Sequence, residues 1–295
     1  MLFVTGINGH SGRHFLQRLV DEQYNGKVRC TVSNSTNIPP LNTKNLDVEY
    51  VVCDLNNVKE ITKAMSGSQI VLHIAHIKYS KNILQACIDN DVDWVINVHT
   101  TGRYSKFKSA SAEYIEIEDY ILTQRDKLAI TIVRPTMIYG SSRDKNMVRL
   151  IKFLDKSKFF PMFGKGDNLM QPVHAKDLGN AYYDIILKSD VTKNKEYNLS
   201  GKNPIKYKKL IQTVSKELGK KTIILHIPMG LSVFAAKIYN AIFKNAIITV
   251  EQVLRMQEDK AFSHDLASND FGYSPYSFEE GIKEEVIEYL ESKKK

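Results

Sequence analysis

The segment Thr5-Gly6-Ile7-Asn8-Gly9-His10-Ser11-Gly12 constrains this chain more than any other. The apolar run Leu2-Phe3-Val4 precedes it, and Phe15, Leu16 and Leu19 follow at helical spacing. The pattern predicts a strand, a glycine-rich turn and a helix. Glycine at every third position lets the backbone turn tightly and approach a pyrophosphate. It also lets the helix pack on the strand with the phosphates at its amino end. Thr5, Gly6, Asn8, Gly9, His10, Ser11 and Gly12 are therefore candidate dinucleotide-binding residues. A glycine turn without a ligand is the weaker reading, because strand and helix flank this one in the right order.

Downstream, short apolar runs alternate with helical periodicity. Strands are predicted at 28–32, 48–52, 70–74, 94–98 and 129–133, the last stopped by Arg134-Pro135. Helices are predicted at 58–65, 82–88 and 112–122. Near-continuous apolar strands alternating with helices demand a parallel sheet covered on both faces. From Met147 the alternation loosens: a helix at 177–187, a short strand at 196–199 and a helix at 207–218 precede a mostly helical remainder. The expected fold is a doubly wound parallel (Rossmann) α/β sheet over 1–200, with a smaller, mostly helical domain over 201–295.

A chain of 295 residues can bury about three quarters of its unfolded surface. The net charge of +8 suits a phosphate-bearing ligand or an anionic surface, but the lysines are scattered, and a solvated surface is the simpler reading. Aromatic and basic residues do not interleave, so no nucleic-acid partner is expected. Cys30, Cys53 and Cys87 lack metal-ligand spacing and read as buried small residues in a reducing compartment. The first strand begins at Leu2, leaving no room for a signal peptide. No run reaches the roughly 18 apolar residues of a membrane span, so the expected location is cytoplasmic. The stretch 231–243 is apolar and helical but interrupted by Lys237 and Asn240; it reads as a core or interface helix, with a membrane-surface helix as the alternative.

The spacing Gly-x-x-Gly-x-x-Gly after Thr5 resembles the extended and atypical short-chain dehydrogenase/reductases, the NAD(P)-dependent epimerase/dehydratase family. Later segments are similar to the same family. His73-Ile74-Ala75-His76 resembles the end of its fourth strand, which lies against the cofactor. Arg134-Pro135-Thr136-Met137-Ile138-Tyr139-Gly140 resembles its Arg-Pro-x-x-x-Tyr-Gly segment. Gln171 to Leu178 and Phe271 to Pro275 resemble segments that lie further on. The resemblance implies cofactor contacts from Ile74, Ala75, His76, Thr100 and Pro135, and from Asp54 and Leu55 at the end of strand three. Asp54 would face the adenine amino group or, as Asp commonly does, cap a helix.

Redox members of the family carry Tyr and Lys four residues apart, and the lysine charge favours the phenolate that takes a substrate proton. A Ser or Thr at the end of strand five holds the same hydroxyl, and Thr100-Thr101 occupies that place. If Glu118 is matched to the glutamate of Tyr-x-x-x-Lys-x-x-x-Glu, Ala110 and Tyr114 fall at the Tyr and Lys positions, and neither catalytic residue is present. A literal Tyr-x-x-x-Lys runs from Tyr104 to Lys108, but it begins only three residues after Thr101, and Tyr104 more closely resembles the family's other tyrosine, in Ser-Ser-x-x-Val-Tyr-Gly. Two readings stand: Thr101, Tyr104 and Lys108 form a displaced catalytic set, or the chain binds the dinucleotide without the standard pair. His76 and His99 either line the nicotinamide pocket or are satisfied at strand ends. A metal site is not expected there.

An acid usually follows strand two in NAD-binding sheets, but here the region reads Ser33-Asn34-Ser35-Thr36-Asn37. With no carboxylate to repel a 2′-phosphate, NADP is favoured over NAD. Arg13 could contact that phosphate or lie solvated. The expected function is NAD(P)-dependent epimerisation, dehydration or reduction of a nucleotide-sugar or similar polar carbonyl or alcohol, by a chain that could form a homodimer. The rivals are a non-catalytic dinucleotide-binding sensor or assembly protein and a quinone- or isoflavone-type NADPH reductase.

Overall fold

In the computed structural model, all residues are described except 44, 108–110, 142, 145, 243–249 and 295. The first half runs β1 (Leu2–Thr5), α1 (His10–Asp21), β2 (Val28–Val32), β3 (Val48–Val52), α2 (Val58–Met65) and β4 (Ile70–His73). It continues through α3 (Ser80–Asp89), β5 (Trp94–Val98), α4 (Ala112–Leu122) and β6 (Ala129–Pro135). Then come α5 (Met147–Lys156), β7 (Phe159–Phe163), α6 (Ala175–Leu187), β8 (Glu196–Leu199), α7 (Tyr207–Glu217) and β9 (Ile223–Ile227). The principal helices after β9 are α8 (Met229–Ile242), α9 (Val250–Arg255), α10 (Asp265–Phe271) and α11 (Phe278–Ser292).

Seven strands make one parallel sheet in the order β8-β6-β5-β4-β1-β2-β3. The order reverses at β1, and ligands of open parallel sheets sit beyond the strand ends at such a switch point. Alternation along β1 divides the core. Leu2 and Val4 face α1 and α6 through Phe15, Leu16, Leu19, Leu178 and Tyr182. Phe3 faces α2, α3 and α4 through Ile61, Met65, Leu84 and Ile121. Each such side chain contributes about 1.5–3 kcal/mol when fully buried. A third cluster joins Tyr139, Met147 and Ile151 to Leu210, Val214, Ile282 and Val286.

Two strand ends differ from expectation. β6 runs on through Arg134 and Pro135 because β8 lies beside it, with Leu199 opposite Pro135. Proline lacks only the donor; its carbonyl remains an acceptor. β4 ends at His73 rather than Ile74, level with the end of β1, where Thr5 stands opposite His73. β7 and β9 pair in parallel as a two-stranded ribbon outside the main sheet, an element the alternation did not predict. Among the described residues no helix is long and apolar enough to cross a membrane.

Candidate functional site

The chain leaves β1 at Thr5 and turns at Gly6, whose φ of +77° is a region that side chains other than glycine rarely adopt. The Gly6 carbonyl accepts the Gly9 amide at 2.8 Å, closing the turn. A Cβ on Gly12 would stand 2.4 Å from that same carbonyl, so helix and turn pack closer than any side chain allows. Gly9 caps α1 without a side chain, and the first turn holds no acid. The free amides and the positive end of the helix thus meet no protein anion, which is the donor set that a pyrophosphate requires.

A cavity of about 670 Å³ opens beside this turn at the carboxyl ends of β1, β2 and β3. Gly6, Asn8, Gly9, Ser33, Asp54, Leu55 and Ala75 line it, all cofactor candidates from the sequence. Thr31, Asn37, Cys53, Glu60 and Tyr79 line it too; nothing in their local pattern marked them. Asp54 does not cap α2. Its Oδ1 accepts the Asn56 amide at 2.9 Å, while Asn57 caps the helix. Asn34 accepts from Thr36 at 2.8 Å. Arg13 donates from Nε to Asn8 Oδ1 at 2.8 Å, Asn8 donates to Asn37, and Asn37 donates to Ser33 Oγ at 3.0 Å.

Other candidates are bonded to neighbours within the protein. Thr5 Oγ1 and His73 Nδ1 share a buried bond of 2.6 Å across β1 and β4, and Ser11 Oγ lies 3.3 Å from Tyr182 Oη. His10 Nε2 lies 2.8 Å from Ser141 Oγ. The Ile74 amide donates to the Thr5 carbonyl at 3.1 Å. His76 accepts the Lys78 amide on Nδ1 at 3.2 Å, so Nε2 carries the proton and stands 3.4 Å from Tyr114 Oη.

A second cavity, of about 950 Å³, lies at the ends of β5 and β6. Thr100, Thr101, Tyr104 and Ser105 form one wall, and the segment around Glu258, Lys260 and Phe262 forms another. Glu258 ties the walls together by accepting from Ser105 Oγ at 2.7 Å and from the Lys106 amide at 2.6 Å. Thr100 accepts the Gly102 amide at 3.0 Å, and Thr101 donates to the Pro135 carbonyl at 3.2 Å. Tyr104 stacks on Phe262 with ring centres 5.3 Å apart and donates to Asn198 Oδ1 at 3.3 Å. Arg134 Nη1 donates to the Tyr104 hydroxyl oxygen at 3.0 Å. Lys108 lies outside the described residues, as does Ala110.

Behind this wall lies a buried charge network. Glu118, 1% exposed, accepts from His99 Nδ1 at 2.8 Å and from Arg134 Nε and Nη2 at 2.9 and 2.6 Å. Arg103 also pairs with Glu118, and Arg134 with Glu196. Burial pushes the Glu118 carboxyl up, but the bonds from His99 and Arg134 outweigh it and hold it at about 2. With Glu118 ionised, the His99 proton sits on Nδ1, leaving Nε2 to accept from Ser80 Oγ at 3.3 Å. His99 is thus satisfied within the protein. His174 is a helix cap, accepting the Lys176 amide at the start of α6. The sequence did not predict the network. Its signal was a pair of ionisable residues, Arg134 and Glu118, each at a position of otherwise apolar periodicity. Among the described residues no three His, Cys, Asp or Glu side chains gather as a metal would need.

Comparison with known proteins agrees with this geometry. The profile of the NAD(P)H-binding family matches residues 6–158. The chain is 21% identical to short-chain dehydrogenase/reductase family 42E member 1 of Danio rerio, over 86% of this chain and 80% of that protein. It is 24% identical to 3beta-hydroxysteroid-dehydrogenase/decarboxylase isoform 1 of Arabidopsis thaliana, over 96% of this chain and 78% of that protein. Among solved structures, UDP-glucuronic acid 4-epimerase from Bacillus cereus, in complex with UDP-glucuronic acid and NAD, superposes with a TM-score of 0.77 at 18% identity, covering 99% of each chain. The cofactor class is NAD(P), which the glycine cradle fits. The chain belongs to the NAD(P)H-binding family, within the NAD(P)-dependent epimerase/dehydratase group of extended short-chain dehydrogenase/reductases.

Proposed function

We propose that this chain is an NADP(H)-preferring enzyme that epimerises, dehydrates or reduces a nucleotide-linked sugar. One observation carries the reading. The 950 Å³ cavity, bearing Thr101 and Tyr104, opens on the same carboxyl edge of the sheet as the glycine cradle. When bound, the nicotinamide exchanges hydride with a carbon–oxygen centre. The chain's own part is to hold that oxygen and move its proton. Tyr104 is the candidate for the proton and Thr101 for the second hydrogen bond. Arg134 donates to the phenol oxygen at 3.0 Å and so fixes that hydroxyl, a positioning role, because Glu118 and Glu196 already pair its charge. Lys106, Arg255 and Lys260 around the same cavity suit a diphosphate.

The preference for NADP(H) rests on the cradle's outer end. Ser33, Asn34 and Asn37 are neutral, and Arg13 reaches that chain of amides through Asn8. A 2′-phosphate would meet donors and a guanidinium there, with Asp54 as the nearest lining acid in sequence.

The test is to incubate the purified chain with NADP, NADPH, NAD or NADH and a panel of UDP- and dTDP-sugars. Reduced-nicotinamide fluorescence and chromatography of the sugar nucleotide are then followed. Conversion of at least one sugar nucleotide is expected. Dinucleotide binding with no conversion in any combination would instead favour the non-catalytic reading, which the residues at 110 and 114 already suggest.

A further inference from the structure

We propose that the ribbon of β7 and β9, with the first turns of α8, docks this protein on an anionic lipid bilayer. The ribbon is parallel, with Phe159 opposite Ile223 and Pro161 opposite Leu225. Those four residues share one face, and that face is turned to solvent. Phe159 is 50% exposed, Ile223 54% and Leu225 48%. The other face is packed, with Met162 buried and Phe160 and Ile224 half-buried against the third apolar cluster. The outer row is therefore surplus to the core. β9 leads through Pro228 into α8, where Leu231, Phe234 and Lys237 recur at i, i+3 and i+6 on one exposed face. Leu231 is 58% exposed and Phe234 61%. Ser232, between them, is buried.

Charge selects the occupant. Between Glu217 and Glu251 the chain has no Asp or Glu, and between Asp155 and Asp167 it again has none. Lysines stand in both gaps, and Lys156, Lys158, Lys220 and Lys221 are exposed near the starts of the two strands. Asp155, the acid nearest them, is already paired with Lys220 and Lys293. The surface is apolar in the middle, cationic at its start and free of carboxylates along the strands. A second copy of this chain would set these lysines against their own kind. An anionic bilayer takes both parts: apolar side chains enter the headgroup and acyl boundary, and lysine stems carry their charges to the phosphates. The inference does not depend on the reaction assigned above, because none of these residues lines the two cavities of the candidate site.

The test is flotation of the full chain with two kinds of vesicle, phosphatidylcholine alone and phosphatidylcholine with phosphatidylglycerol. The wild type should float with the second and stay behind with the first, and added salt should release it. Lys158→Glu with Lys221→Glu should weaken binding roughly tenfold or more. Ile223→Glu and Phe234→Glu should each abolish flotation while leaving dinucleotide affinity unchanged, which certifies the fold. Equal behaviour with both vesicles, or retention by all these variants, overturns the proposal. So does a wild-type dimer that Phe234→Glu splits in sedimentation without any vesicle binding, which would make the face an interface between copies.

Discussion

At the β1 end of the sheet's carboxyl edge the site is made of backbone; at the β6 end it is made of ionised side chains. The glycine cradle offers amides, a helix terminus and space that a Cβ would fill. The far end offers a phenol and a threonine hydroxyl held by Arg134, Glu118 and the Pro135 carbonyl. Backbone that must approach a phosphate tolerates few residues, so its pattern persists in a recognisable form. A proton-handling group only has to reach the right point, and different residues can bring it there. The glycine spacing of the cradle resembles its family's plan, whereas at the reaction end the register set by Glu118 is proposed to put Tyr114 where the family has lysine.

Several substitutions can break or sharpen this contrast. The largest effect is expected from Tyr104→Phe, which should lower turnover roughly 10²–10⁴-fold, the usual worth of a positioned proton-transfer group. Dinucleotide affinity should stay nearly intact, since Tyr104 lies outside the cradle. Unchanged turnover would move the chemistry to another group, with Thr101 and Tyr114 next.

Glu118→Ala leaves the guanidinium of Arg134 buried without its main partner. Removing one member of a buried pair costs about 3–5 kcal/mol, which denaturant midpoints would register. Residual folded protein should still bind dinucleotide. A midpoint equal to wild type would mean that the network does not anchor the far wall.

Ser33→Asp should move preference from NADP toward NAD by roughly tenfold or more, because the new carboxylate repels a 2′-phosphate. Parallel titrations with both cofactors check this. A wild type that already binds NAD far more tightly would contradict the reading of the cradle's outer end.

The smallest effect is on pH dependence. Burial, with His14 and His10 nearby, lowers His174 from 6.5 to about 4. The unfolded chain therefore takes up a proton that the fold refuses, and stability should fall as pH drops from 6.5 toward 4. Glu118 has the opposite chemistry but the same slope. Its depressed value keeps its contribution whole above the ordinary carboxylate range, and the contribution is lost as pH falls toward about 2. Denaturation midpoints that do not change across this range would contradict both assignments.

Much of the fold was legible because its information is local. Leu2 to Val4, Val28 to Val32 and Trp94 to Val98 are apolar enough to demand burial on both sides, and Gly6 and Gly12 mark a turn within eight residues. The extension of β6 was not legible: Pro135 reads as a stop until β8 lies beside it, some sixty residues later in the chain. The ribbon of β7 and β9 escaped for the same reason, as did the contact of Glu258 with Ser105. At the site, the residues of the glycine turn could be named from spacing alone. Arg134 could be placed in a motif, but its position on the Tyr104 oxygen needed the third dimension. His99 read as a candidate because polar residues at strand ends often meet ligands; here it is bonded to Glu118 and Ser80 within the fold.

The claim on which the rest depends is that the turn from Gly6 to Gly12 holds the dinucleotide. Titration of NADPH onto the wild type and onto Gly9→Asp, followed by fluorescence, tests it most directly. Gly9 has φ −68°, which aspartate can adopt, but its Cβ would stand 2.9 Å from the Gly6 backbone carbonyl, so the turn must shift to admit it and the fold of the variant is checked by circular dichroism before titration. The variant should fold while its carboxylate occupies the space of the pyrophosphate. Saturable binding to the wild type and none to Gly9→Asp is the result expected. Equal affinity for a folded Gly9→Asp would contradict the account.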